Sequence, residues 1–93
     1  MVLVIWKADF DGDDKQLARV NELVAETSKE VGAKFDGPYL PQDASLLYLF
    51  WYKEYEDLNR GGRYLLQKVA KEKLPLTPLR YEIGVTPKEF WGK

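Results

Sequence analysis

Ser45 to Tyr55 reads Ser-Leu-Leu-Tyr-Leu-Phe-Trp-Tyr-Lys-Glu-Tyr, a stretch that is apolar on both faces if it is extended. Side chains alternate across a strand, so Leu47, Leu49 and Trp51 point one way and Leu46, Tyr48, Phe50 and Tyr52 the other. A strand of this kind must be covered twice. The chain has 93 residues, enough for one domain with one modest core. A second cover is therefore owed to this strand from a surface or a ligand.

The residues that are missing narrow the chemistry. There is no cysteine, hence no disulfide, thiolate nucleophile or thiolate metal site. There is no histidine, which removes the usual acid–base group near neutral pH and the commonest ligand for zinc, copper and haem iron. Any catalysis would rest on Asp, Glu, Tyr, Lys or Arg. No cofactor and no metal site is expected. The longest apolar run, Leu46 to Tyr52, is far too short to span a bilayer. Met1 leads straight into Val2-Leu3-Val4-Ile5-Trp6 with no basic n-region, so no signal peptide is read and a cytoplasmic location is expected. Asparagine occurs only at 21 and 59, and Lys and Glu are frequent, a composition compatible with a thermophile.

Net charge is −1 but uneven: about −6 up to Asp57 and +5 from Leu58 onward. Two differently charged faces of one domain explain this, and charge complementarity between two copies is the sharper alternative.

Punctuation divides the chain into six elements. Val2 to Ala8 is β-rich on both faces except at Lys7. Asp13 suits a helix N-cap with Gln16 as its capping-box partner. Leu17, Val20, Val24, Thr27 and Val31 then share one helical face, and Gly32 suits the stop. Lys34 to Leu40 carries Pro38 and borders Pro41, which places it at a sheet edge. The aromatic strand follows. A second helix is expected from about Glu56 to Lys73, with Leu58, Leu65, Leu66 and Val69 toward the core and Gly61-Gly62 interrupting it. Leu79, Tyr81, Ile83 and Val85 alternate with Arg80, Glu82 and Gly84, a strand with one buried face. Thr86-Pro87-Lys88-Glu89 opens a final helical turn, 86–93, carrying Phe90 and Trp91.

The order β-α-β-β-α-β specifies an α+β, ferredoxin-like domain spanning 1–93. Its four-stranded antiparallel sheet runs 4-1-3-2, with both helices on one face. The two strands with two apolar faces fall at the centre and the proline-bearing and half-polar strands at the edges. Strand parity then assigns Leu3, Ile5, Leu47, Leu49, Tyr81 and Ile83 to the helix side. Val4, Trp6, Tyr48, Phe50 and Tyr52 go to the open side. With parity reversed, Trp51 joins the open side and the need for a cover is the same. Four aromatic side chains represent roughly 600–1,000 Å² of coverable surface, more than a monomer usually exposes in one patch.

A twofold partner is the commonest cover for such a patch. In element order and patterning, Val2 to Val85 resembles the dimeric α/β-barrel superfamily, whose members pair two such sheets face to face. The resemblance implies a homodimer. It extends to small monooxygenases, isomerases and dehalogenating lyases, several of which rely on a histidine that this chain lacks.

Four candidate sites follow. Trp6, Tyr48, Phe50 and Tyr52 form a ligand or dimer face, taking a second copy or a small apolar ligand. Arg60, Gly61, Gly62 and Arg63 form an anion site if a helix begins at Gly62, whereas close packing of the glycines is the structural alternative. Asp9, Asp11, Asp13 and Asp14 invite a calcium loop, but Asp14 and Val20 stand where Gly and Glu are required. An RNA-recognition platform would use the same aromatics, yet Ser45-Leu46-Leu47 lacks the Lys/Arg-Gly lead and the charge disfavours phosphate. The expectation is a small homodimeric assembly or small-molecule-binding protein. The alternatives are a cofactor-independent enzyme on a small hydrophobic substrate and a nucleic-acid module.

Overall fold

The computed structural model describes residues 1–85, with backbone alone at Arg80 and Val85. Strand β1, Val2–Phe10, turns through Asp11-Gly12 into helix α1, Asp14–Val31. Asp13 caps that helix: its carboxylate accepts from the Gln16 N–H at 2.8 Å, and Gln16 Oε1 accepts from the Asp13 N–H at 3.0 Å. This is the capping box expected from sequence. Gly32 closes the helix in the left-handed region at φ 71°, where a side chain would be strained. Strand β2, Lys34–Tyr39, strand β3, Leu46–Tyr52, helix α2, Tyr55–Lys71, and strand β4, Leu76–Val85, complete the described chain. The turn expected at 86–93 lies outside the described residues.

Four antiparallel strands in the order β2-β3-β1-β4 make the sheet among the described residues. The α+β, ferredoxin-like arrangement is as read from the sequence, with the two doubly apolar strands at the centre. The ladder places Val4 opposite Phe50 and Trp6 opposite Tyr48 on one side, and on the other side Leu3 opposite Trp51 and Ile5 opposite Leu49. β2 keeps its edge position. It carries an irregularity between Asp36 and Tyr39, where Gly37 has φ 130° and precedes a cis Pro38.

Strand parity is the reverse of the preferred assignment. Val2, Val4, Trp6, Ala8, Leu46, Tyr48, Phe50 and Tyr52 are buried beneath the helices. Leu3, Ile5, Leu47, Leu49 and Trp51 are half-buried on the face opposite both helices. Side-chain volume explains the reversal. The inward face of α1 presents three valines, Thr27 and Ser28 beside Leu23, and α2 presents Gly61 and Val69 beside Leu65. Helices with small inward residues leave space that only large sheet side chains fill to native density. Trp6, Tyr48, Phe50 and Tyr52 do so as a continuous set, with neighbouring ring centroids 5.9–6.4 Å apart. Tyr48 can lie fully buried at the centre because its hydroxyl donates to Asn21 Oδ1.

The outer strand departs from expectation too. Ile83 pairs with Val4 and Tyr81 with Trp6, so both sit on the helix side, yet they are 42% and 57% exposed. The helices pack chiefly toward β2 and β3, and of the described β4 side chains only Leu76 is buried in the core. Among the described residues, the helix side of β4 is therefore an uncovered shelf beside α2. No described helix is long and apolar enough to cross a membrane.

Candidate functional site

Between α2 and that shelf the core does not close. A cavity of about 280 Å³ lies there. Its floor is the aromatic set of the central strands: Val4 and Trp6 from β1, Phe50 and Tyr52 from β3. Leu58, Gly62, Leu65 and Leu66 of α2 form one wall, and Pro78 and Tyr81 of β4 form the outer rim. Leu66, expected in the core, is 42% exposed and borders the opening instead. Asn59, Arg63, Leu66 and Tyr81 are all exposed, so they frame the mouth.

The two glycines create this space in different ways. α2 runs from Tyr55 to Lys71 without a break, so Gly61-Gly62 lies inside the helix and does not begin it. The anion site proposed at a helix start is corrected accordingly, because these backbone amides are spent on helical hydrogen bonds. Gly61 is buried against Tyr52 and lets the helix approach the sheet. Gly62 lines the cavity, and nothing stands within 4 Å of where its side chain would be. Sequence reading offered an anion site or close packing for this pair; close packing holds at Gly61, while the open space at Gly62 was not foreseen.

The lining is mostly apolar and its polar groups are mostly donors. The Tyr52 side chain is 4% exposed overall, lines the cavity, and its hydroxyl makes no hydrogen bond with a described residue. Burial pushes its pKa up to about 12, so it stays protonated and donates. Arg63 has no ion-pair partner among the described residues, whereas Arg60 is held by Asp57 at 3.2 Å. Arg63 also faces a polar surface groove shared with Glu56, Asp57, Asn59 and Arg60. Neither acid lines the apolar cavity. The cavity's described lining thus holds a tyrosine kept protonated and no carboxylate.

Three of the four residues predicted as a ligand or dimer face, Trp6, Phe50 and Tyr52, therefore line a cavity, while Tyr48 is sealed in the core. None of the four lies on the open sheet face, so they cannot form the base-stacking platform of an RNA-recognition motif, which uses that face. Of the predicted anion group, Gly61, Gly62 and Arg63 line the cavity and Arg60 points to the outer groove. Asp13 is the helix cap, and Asp9 accepts from the Ser45 hydroxyl at 3.4 Å. No group of three or more acidic side chains is placed to hold a metal among the described residues.

No protein-family model and no curated protein sequence matches this chain. Solved structures share its fold. A proposed thiamine biosynthesis/salvage protein of Thermotoga maritima aligns with 98% of this chain and 95% of its own, at TM-score 0.58 and 18% identity. MupZ of Pseudomonas fluorescens aligns with 98% of this chain and 76% of its own, at TM-score 0.60 and 14% identity. At such identities the likeness is one of fold.

Proposed function

We propose that this chain binds a small, flat organic molecule in the cavity between α2 and the β1–β4 side of the sheet. The supporting observation is an aromatic floor of Trp6, Phe50 and Tyr52 beneath about 280 Å³ of space with polar groups at its edge. Ligand sites are typically concave and apolar with a few placed polar groups. At about 280 Å³ the space lies just below the usual range of small-molecule sites, about 300–1,000 Å³, which suits a ligand of one or two rings. Calorimetric titration with one- and two-ring aromatics of each charge type, thiamine among the cations, tests the reading. Binding should shift the amide resonance of Gly62. Absence of binding across the set sinks it.

A second reading concerns the opposite face. Leu3, Ile5, Leu47, Leu49 and Trp51 form a contiguous half-buried apolar strip on the two central strands. Lys34 and Asp36 border it on β2, and Glu82 borders it on β4. An apolar centre with charges of both signs at its margins is self-complementary under a twofold axis. The proposed partner is a second copy of this chain, packed sheet to sheet.

A further inference from the structure

Resting on the cavity reading, we infer that the ligand is an aromatic carboxylate, its rings on the Trp6–Phe50 floor and its anionic group at Arg63. The apolar enclosure selects a flat hydrocarbon or heterocyclic body. The polar groups select the other end. Arg63 is a cation at the mouth with no anionic partner among the described residues, and the Tyr52 phenol, also in the lining, has no hydrogen-bond acceptor among them. Both donate, and no described carboxylate lines the cavity to attract a cation.

Arg63 and Arg60 differ in a way that supports the assignment. Arg60 is held by Asp57, three residues earlier, on the outward groove. Arg63 lies one helical turn on and faces both that groove and the cavity. A guanidinium presents a planar fork that matches a carboxylate in two parallel hydrogen bonds. Asn59 stands one turn before Arg63 at the same mouth and can donate its amide to the same group. A neutral ligand of the same shape would leave Arg63 unmatched and gain only the apolar contact.

The test uses a matched pair of probes, indole-3-acetate and indole-3-acetamide, titrated calorimetrically into the full chain at low salt. The acetate should bind at least about ten-fold more tightly than the amide, the worth of one charge-assisted hydrogen bond. Arg63→Gln should abolish that preference by weakening the acetate alone. Arg63→Lys should retain part of it, and Arg60→Gln all of it. Arg63 is exposed on a helix, so these variants should fold, and circular dichroism verifies that they do. If neither probe binds the unaltered protein, the carboxylate assignment is overturned, and the cavity reading falls with it only where the wider aromatic set also fails to bind. If both bind equally, or the preference survives Arg63→Gln, the carboxylate assignment is overturned while the cavity reading stands.

Discussion

Gly61 and Tyr52 meet across the helix–sheet interface so closely that a methyl on Gly61 would stand 3.2 Å from the tyrosine hydroxyl oxygen and 3.3 Å from ring carbon Cε1. A methyl on Gly62 would meet nothing within 4 Å. Each glycine costs α2 about 1 kcal/mol relative to alanine. Gly62→Ala should recover about that much. Gly61→Ala gains the same propensity but must displace Tyr52, so its net effect should be smaller or destabilising. Urea unfolding of the two variants measures the difference. Equal gains would show that the Tyr52 contact carries no weight.

The same tyrosine should make the protein sensitive to alkali. Burial pushes both Tyr48 and Tyr52 up to about 12 from an ordinary 10.0. A folded pKa above the unfolded one favours the protonated side chain in the native state. That stabilisation is complete below pH 10 and is lost as pH rises through the folded values near 12. Urea midpoints should therefore hold steady to about pH 9 and fall steeply beyond 10. Tyr52→Phe should flatten the fall by about one proton's worth, near 1.4 kcal/mol per pH unit. An unchanged slope in Tyr52→Phe would place its titration in the ordinary range.

Element order and sheet order were legible because prolines, glycines and caps mark the ends of elements. Gln16 three residues after Asp13 specified a helix start without reference to the rest of the fold. Parity was a different problem. Leu47-Leu49-Trp51 and Tyr48-Phe50-Tyr52 are both apolar, so hydrophobicity alone does not tell inside from outside. What decided it was volume: the three valines of α1 beside Leu23, and Gly61 of α2 against Tyr52, match the larger set opposite them. That match lies between elements far apart in sequence. The cavity was hidden for the same reason, because it depends on how far α2 stands from β4. Arg63 and the glycine pair were picked out for a helix start that the uninterrupted α2 does not have.

Ser28 shows the opposite of the Tyr48–Asn21 arrangement. Its hydroxyl is buried with no hydrogen-bond partner among the described residues, while the neighbouring Thr27 Oγ1 donates to the Leu23 carbonyl at 2.7 Å. Removing an unsatisfied buried group relieves its desolvation cost, and alanine is the better helix former. Ser28→Ala should raise stability by about 1 kcal/mol, whereas Thr27→Val should lower it. Thermal unfolding of both variants decides this, and a clear loss in Ser28→Ala would contradict the assignment.

Arg19 joins the two helices at the far end from the cavity mouth. Its Nε and Nη2 donate to the two Glu72 carboxylate oxygens at 2.7 Å each, and Nη1 donates to Glu22 at 2.9 Å. The hydrogen bonds from Arg19 hold the Glu72 pKa below its ordinary value. A depressed folded pKa gives stability that is present above the unfolded carboxylate value and lost as pH falls through the folded one. Glu72→Gln should therefore flatten the acid limb of the stability–pH curve and change little at neutral pH beyond the exposed pair's small share. An acid limb identical to the parent's would mean that the fork does not persist in solution.

The open sheet face gives a test that separates association from folding. Leu49 is half-buried at the centre of the apolar strip, opposite Ile5 on one side and Asp36 on the other. If a second copy covers this strip, Leu49→Lys places a charge in the middle of the interface and leaves the core beneath the helices intact. Light scattering on a size-exclusion peak at micromolar concentration should read twice the 10.8 kDa of one chain for the parent and one chain's mass for Leu49→Lys. The far-ultraviolet spectrum should not change. Phe50→Ala, one residue along but facing the helices, should behave in the opposite way, costing about 3–5 kcal/mol of folding stability as a core truncation does. A parent protein that already runs at the mass of one chain refutes the dimer. A dimer that survives Leu49→Lys puts its interface elsewhere.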